Sequence, residues 1–298
     1  MYTLAREVAD NVFRVDVPMP ALNNVFGVYI IRDQETAVIE PGPARTIPIV
    51  RDALRELGIS DVRWIIPTHL HVDHAGGMGA LALLYPQSRV LLHPRGIRHA
   101  IDPTRLIEGS RMVWGVDFEE NFGRVMAVPE QQAAVAGDGD TILAGARELQ
   151  IVHAPGHAPH QIVVFDRQAR GIFCGDSAGM MAANAKEFPL PNTAPPGFDL
   201  QVYLETLERL RNMGADVLFY SHGGVVYEPE SVIVKACEIT RAFGDLVLQG
   251  LKDGGMVENV TASIREYARR QFGVELDDQE LAMTVSGYIY YYRDRGMA

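Results

Sequence analysis

Between His69 and His74 the chain sets three of its nine histidines and one aspartate into six residues, His69-Leu70-His71-Val72-Asp73-His74. Imidazole nitrogens and carboxylate oxygens are ligands that zinc, iron and manganese all accept. A polar surface loop accounts for a lone histidine; four donors at this density point instead to a metal site. A shell of histidine and aspartate alone does not choose among the three metals.

The flanking residues say how such a site is presented. Val62 to Ile66 is a short apolar run ended by Pro67, the pattern of a buried strand, so the donors fall in a loop at its end. Gly76 and Gly77 are expected to let the backbone turn tightly into a helix over Met78 to Leu84, with its N-terminal end towards the donors.

Three later pieces share the character of the first: Ala154-Pro155-Gly156-His157, Cys174-Gly175-Asp176 and Ser221-His222-Gly223-Gly224. Together with His-x-His-x-Asp-His, and in this order, they resemble the metallo-β-lactamase fold superfamily in its two-metal form, the group that holds glyoxalase II, lactonases and related nucleases. The resemblance runs over roughly residues 10 to 230, and the joint pattern is far more specific than any piece of it. It implies an α/β fold of the αββα kind, two mixed β-sheets flanked by helices. It also implies a ligand set: His69, His71 and His157 for a first ion, Asp73, His74 and His222 for a second, and Asp176 bridging them. Two divalent ions, zinc first and iron or manganese as alternatives, would share a water as a nucleophile near neutral pH. Asp73 and Asp176 are the carboxylates expected to take part in catalysis. Where the family has Asp-x-Gly supporting the histidine loop, this chain has Glu40-Pro41-Gly42, one methylene longer.

The implied activity is a metal-dependent hydrolase, a metal-bridging hydroxide attacking an ester, thioester or lactone of a small acyl substrate. Two alternatives stay open, a metal-dependent phosphodiesterase or ribonuclease and an iron-dependent oxidoreductase. The flavin-linked di-iron type is disfavoured, because its motif has glutamate where this chain has His71. A formal charge of −11 argues against a nucleic-acid partner held by a general electrostatic footprint. The 47% hydrophobic and 22% charged composition is that of an ordinary globular chain. Two cysteines, Cys174 and Cys237, offer neither a disulfide framework nor a thiolate site and read as core. No apolar run suggests a signal peptide or membrane span, so the expected location is the cytoplasm, away from β-lactam targets.

The remaining elements are read from periodicity. Val12 to Val17, Val25 to Arg32 and Thr36 to Glu40 are expected strands of an antiparallel sheet, with Pro18 to Leu22 a loop able to reach over the site. A helix is expected over 44–57, with Ile47, Val50, Leu54 and Leu57 on one face. Further strands are expected at Val90 to His93, Leu149 to His153, Gln161 to Phe165, Gly171 to Cys174 and Val217 to Tyr220. Helices are expected at Thr104 to Gly115 and Leu200 to Met213. The 95–129 segment, with Arg98, Arg105 and Arg111, reads either as a pocket wall or as an ordinary insertion; the proline-rich 180–199 segment reads as a pocket rim. His153 and His160 read as structural histidines first, and otherwise as site-supporting or substrate-contacting ones. The catalytic domain is expected over 1–229. A helical extension follows over 230–298, loosely similar to a winged-helix-like appendage, whose Tyr288, Tyr290, Tyr291 and Tyr292 suit core, a pocket lining or a homodimer contact.

Overall fold

In the computed structural model, which describes residues 3–19, 24–182 and 188–297, the opening apolar runs pair as long antiparallel strands. They are β1 (Ala5–Ala9), β2 (Val12–Met19), β3 (Asn24–Arg32) and β4 (Thr36–Ile39), with Val15 opposite Val28 and Ile30 opposite Val38. The sheet then changes character. Helix α1 (Ile47–Glu56) carries the chain across to β5 (Trp64–Ile66), which lies parallel to β4; β6 (Arg89–Leu92) and β7 (Ala133–Val135) add on in parallel. All four residues of β4 are buried, as a strand covered on both faces requires. The order is β1 through β7 in sequence, a mixed seven-stranded sheet.

Helix α1 buries Ile47, Val50, Ala53 and Leu54, a stripe at helical spacing. It packs into one cluster with Phe13, Val15 and Val17 of β2, Phe26, Val28 and Ile30 of β3, and Met78 and Leu81 of the helix after the histidine loop. Each large apolar side chain buried there contributes about 1.5–3 kcal/mol. That rigid layer fixes where β5 ends, and the histidine loop begins two residues later.

The loop itself contains a single helical turn, α2 (Val72–Ala75), followed by α3 (Met78–Leu84). Gly76 and Gly77 differ from expectation: both have ordinary right-handed backbone. They are glycine for closeness. A Cβ on Gly76 would lie 2.3 Å from Val72 O, and one on Gly77 would lie 2.3 Å from Ile47 Cδ1.

The 95–129 segment forms α4 (Ile97–Ile101), α5 (Thr104–Trp114) and α6 (Phe118–Phe122), anchored by the buried Phe118 and Phe122. Helix α5 contacts α2. Its arginines behave as surface groups, Arg111 pairing with Glu119 and Arg98 with His99.

A second, six-stranded sheet runs from β8 (Thr141–Ala144) through β9 (Arg147–His153), β10 (Ile162–Asp166) and β11 (Gly171–Gly175). These four are antiparallel neighbours, with Val163 opposite Val152 and Val164 opposite Phe173. Beyond the hairpin β12 (Met180–Met181) and β13 (Pro189–Leu190) and the helix α7 (Leu200–Asn212), β14 (Val217–Tyr220) and β15 (Val225–Tyr227) complete the sheet beside β11. Three helices follow, α8 (Pro229–Lys252), α9 (Val257–Phe272) and α10 (Asp278–Asp294), with no strand after Tyr227 among the described residues.

Contacts divide the chain into two units. The first is Met1–His153, His160–Gly175 and Leu218–Val225, which holds most of both large sheets and α1 to α6. The second is Ala154–Pro159, Asp176–Val217 and Val226–Ala298, which holds the small hairpin and α7 to α10. Within the second, Phe198 packs edge-on against Tyr288 at 5.1 Å, and the Tyr288 hydroxyl donates to Thr240 O at 2.8 Å. Tyr288, Tyr291 and Tyr292 are buried, so three of the four tyrosines are core; only Tyr290 is exposed. Of the expected loop Pro18 to Leu22, Pro18 and Met19 continue β2, while residues 20–23 lie outside the described residues, as do 183–187 of the 180–199 segment. Among the described residues no helix is long and apolar enough to cross a membrane.

Candidate metal centre

The histidine loop is held from beneath by a buried carboxylate. Glu40, 1% exposed and in left-handed backbone at φ 59°, follows β4. Its Oε1 accepts from Thr68 N at 2.6 Å, and its Oε2 accepts from Ser221 Oγ at 2.8 Å and from His74 Nδ1. Gly42, at φ 80°, then stitches the turn to the loop: its N–H donates to His74 O at 3.1 Å and its carbonyl accepts from Gly77 N at 2.7 Å. This side chain thus supports the histidine loop, and reaches the Ser221-His222 turn as well.

His222 arrives from β14. The strand's exit turn is locked by Arg14, a charged residue 2% exposed in a mostly apolar strand. Its guanidinium donates to Tyr29 Oη and Tyr220 O at 2.8 Å each and to Gly223 O at 2.9 Å, while Asp16 balances the charge at 2.6 Å. Tyr29 donates to the same Tyr220 carbonyl at 2.6 Å, and burial pushes its phenol well above the usual range. Phe26 lies edge-on to the rings of His74 at 4.9 Å and His222 at 5.2 Å, an apolar wall that fixes both.

Three donors of the first unit converge as a result. His222 Nε2 is 3.1 Å from Asp73 Oδ2 and 3.3 Å from His74 Nε2, and the last two are 3.5 Å apart. Ligands at 2.0–2.1 Å on a tetrahedral ion are separated by about 3.3 Å, so these three atoms have the spacing of one coordination face. Beside them His69 Nε2 is 2.9 Å from His71 Nδ1, and the His69 ring centroid is 4.1 Å from that of His74. His69 Nδ1 is already paired with Thr68 Oγ1 at 3.0 Å.

In the second unit His157 Nε2 is 3.4 Å from Asp176 Oδ2, and both side chains are at most 2% exposed. The turn before His157 is shaped by α7: Gly156 has φ 131°, and a Cβ there would lie 2.4 Å from Tyr203 Cα. Thr206 Oγ1 donates to Pro155 O at 2.5 Å, Asp199 N to Gly156 O at 2.8 Å, and the Tyr203 hydroxyl to Asp176 O at 3.2 Å. His157 Nδ1 donates to Asn192 O, whose side chain in turn donates to Asp176 Oδ2, each at 2.8 Å.

The other histidines separate. His160 stands by the loop, its Nδ1 accepting weakly from Leu70 N at 3.5 Å and its ring 6.4 Å from that of His69. His153 is structural: its Nε2 donates to Ala136 O at 2.8 Å and its ring lies 4.3 Å from His93. Burial, then His153 and Arg95, push His93 down to about 4. Cys174 is core, its thiol donating to Phe219 O.

The donor chemistry fits divalent metal. In His69, His74 and His157 the Nδ1 atom is engaged by Thr68, Glu40 and Asn192, and Nε2 lies towards the neighbouring donors His71, His222 and Asp176, the arrangement in which ligand histidines are oriented by the other ring nitrogen. Arg14, Tyr29 and Asn192 were not singled out by the sequence; the signal available was an arginine inside a mostly apolar strand.

The sequence profile of the metallo-β-lactamase superfamily matches residues 23–222. The chain belongs to that superfamily. Members of it bind divalent metals, which agrees with the histidine and aspartate cluster found here. This superfamily chain is 29% identical over 167 residues to the metallo-β-lactamase fold-containing protein ST1585 of Sulfurisphaera tokodaii, covering 55% of this chain and 61% of that one. It is 29% identical over 195 residues to the acyl-coenzyme A thioesterase MBLAC2 of Bos taurus, covering 57% and 64%. It is 28% identical over 162 residues to a hydroxyacylglutathione hydrolase of a Synechococcus strain, covering 53% and 51%. The chain thus spans between half and two thirds of these curated relatives, the last two of which are hydrolases by name. The crystal structure of ST1585 superposes with a TM-score of 0.68 at 20% identity, over 95% of this chain and 98% of that one. The fold is therefore mixed α/β, with two large sheets flanked by helices.

Proposed function

We propose that this chain is a dinuclear metal-dependent hydrolase of small acyl substrates, with thioesters the first class to test ahead of esters and lactones. The observation that carries the reading is the spacing of Asp73, His74 and His222, three buried or nearly buried donors 3.1–3.5 Å apart on a scaffold that engages the far nitrogen of His74. By the order of the motifs, His69, His71 and His157 would hold a first ion and Asp73, His74 and His222 a second, with Asp176 shared between them. Zinc suits this nitrogen and oxygen set, with iron and manganese as the alternatives. When bound, such a pair of ions lowers the pKa of a shared water towards neutrality and polarises the acyl oxygen.

The protein's own part is positioning and proton handling. Glu40 holds the proton on His74 Nδ1, so that Nε2 offers its lone pair. Phe26 keeps water from the back of the His74 and His222 rings. Asp73 keeps 14% side-chain exposure, and we assign it the proton released by the attacking water; Asp176, 2% exposed, orients that water. The thioester preference rests on the relatives named as an acyl-coenzyme A thioesterase and a hydroxyacylglutathione hydrolase.

The test pairs elemental analysis of the purified chain with turnover of acyl-coenzyme A, S-acylglutathione, lactone and phosphodiester substrates. About two zinc or manganese ions per chain with thioester turnover is the expected result, and Asp176→Ala is expected to lose most of that turnover. Asp176→Ala with full metal content and full rate would remove the assigned role. Iron with oxygen uptake and no hydrolysis would replace the reading by a redox one.

A further inference from the structure

The segment Pro191-Asn192-Thr193 joins the C-terminal helix to two of the proposed ligands. Asn192 is 8% exposed and touches both His157, through its main-chain carbonyl, and Asp176, through its side-chain amide, each at 2.8 Å. Its two neighbours are gripped by α10. Thr284 Oγ1 donates to Pro191 O at 3.2 Å, and Thr193 Oγ1 donates back to Thr284 O at 2.5 Å. Three residues further along α10, Gly287 lies so close that a Cβ there would be 1.6 Å from Thr193 O. Thr193 and Thr284 are each 2% exposed, so this reciprocal pair is shielded from water.

We propose that Asn192 is a positioning residue for the metal ligands His157 and Asp176, and that α10 holds it in place through Thr284 and the bare backbone at Gly287. The proposal rests on the reading of His157 and Asp176 as ligands. The physical argument is that one backbone carbonyl sets the tautomer and ring plane of His157, while the amide on the same residue fixes one oxygen of Asp176. A shift of Asn192 therefore misplaces both donors together. Loss of such outer partners costs a site 10–100-fold in metal affinity. An ordinary buried asparagine, satisfied for its own sake, would instead affect folding alone. On this account the helices beyond residue 229 are part of what builds the centre, because α10 is the element that Asn192 leans on.

The experiment uses the full chain, stripped of metal and titrated with zinc against a chromophoric chelator, to obtain both stepwise dissociation constants. The variants are Asn192→Ala and the milder Thr284→Val, which keeps size and removes the hydroxyl that grips Pro191. Asp176→Asn serves as the ligand control. Asn192→Ala is expected to weaken the zinc step that uses His157 about 10–100-fold and the other, which it reaches only through Asp176, by a smaller factor, with Thr284→Val moving both in the same order but less. If Asn192→Ala does not fold, the Thr284→Val titration decides. Equal weakening of both steps, or no change in either while Asp176→Asn weakens both, overturns the proposal and leaves the ligand reading standing. Two unchanged zinc steps in Asp176→Asn would overturn the ligand reading, and this proposal with it.

Discussion

Glu40→Gln isolates the charge of the buried carboxylate from its shape. The native carboxylate receives three donors, Thr68 N, Ser221 Oγ and His74 Nδ1, and is 1% exposed. Glutamine keeps one oxygen for Thr68 and turns an NH2 towards the other two. Ser221 can rotate its hydroxyl and accept. His74 can accept on Nδ1 only by moving its proton to Nε2, the atom facing Asp73 and His222. A hydrogen bond to a charged group contributes about 1.5–3 kcal/mol and a neutral one about 0.5–1.5. Three such exchanges, less the desolvation relieved by losing a buried charge, give about 1–3 kcal/mol of lost stability in the metal-free chain. The tautomer change adds a second effect, a 10–100-fold weaker zinc step at Asp73, His74 and His222. Urea unfolding of the metal-free chain, followed by tryptophan fluorescence, reads the first effect, because Trp64 and Trp114 both lie in the first unit. Chelator competition reads the second. Stability within about 0.5 kcal/mol of wild type, together with both zinc steps within about twofold, would refute the claim that this carboxylate sets the tautomer. Glu40→Asp, too short to keep all three partners, should move in the same direction.

Arg147 and Asp166 form an ion pair with neither side chain more than 1% exposed, Nη2 lying 2.6 Å and Nε 2.8 Å from Asp166 Oδ2, and Arg147 also donates to Asp10 O. Arg147→Met should cost about 3–5 kcal/mol by stranding the aspartate, and adding Asp166→Leu should restore most of it; urea midpoints of the single and double variants check this. His93 is held at about 4 against 6.5 in the unfolded chain, so between those values the unfolded chain binds a proton that the folded chain refuses. Its contribution to stability is full above pH 6.5 and is lost as the pH falls towards 4. The metal-free His93→Gln variant should show a shallower loss of stability than wild type across pH 6.5 to 4, and parallel curves would contradict the assignment.

The motifs were readable because a metal imposes local rules. Four donors within six residues, and glycine before His157, Asp176 and after His222, are marks that short spacing and close approach leave in a sequence. Gly175, at φ 49°, is an instance: a Cβ there would lie 2.3 Å from Thr68 Oγ1, so only glycine lets the strand before Asp176 pass the histidine loop. Strands and helices followed from alternation and periodicity, and β14 was legible in full from its apolar run. Short elements escaped, among them β1, β7 and β8 with few buried positions, and α4 and α6 with one helical turn each. The reason for Gly76 and Gly77 also escaped, because close packing against Val72 and Ile47 is a tertiary fact.

What supports the proposed ligands was, Glu40 apart, not legible, and for a different reason. The proposed ligands sit in short motifs whose composition marks them, whereas a support comes from elsewhere in the chain to fix a second direction. Arg14 reaches a carbonyl 206 positions away, Glu40 a hydroxyl 181 away, and Thr284 a carbonyl 93 away. None of these partners shares a motif with the group it serves, and the carbonyls of Tyr220, Pro191 and Asn192 would be present whatever residue stood there. Arg14 at least breaks the apolar pattern of β2, so its burial demanded a partner of opposite charge or an acceptor, and it found both. Thr193 and Thr284 break no pattern, since a threonine suits a strand end or a helix face equally. Relatives could therefore keep every ligand motif and still differ in how firmly each ion is held, and the residues to compare for that difference are 14, 40, 192 and 284.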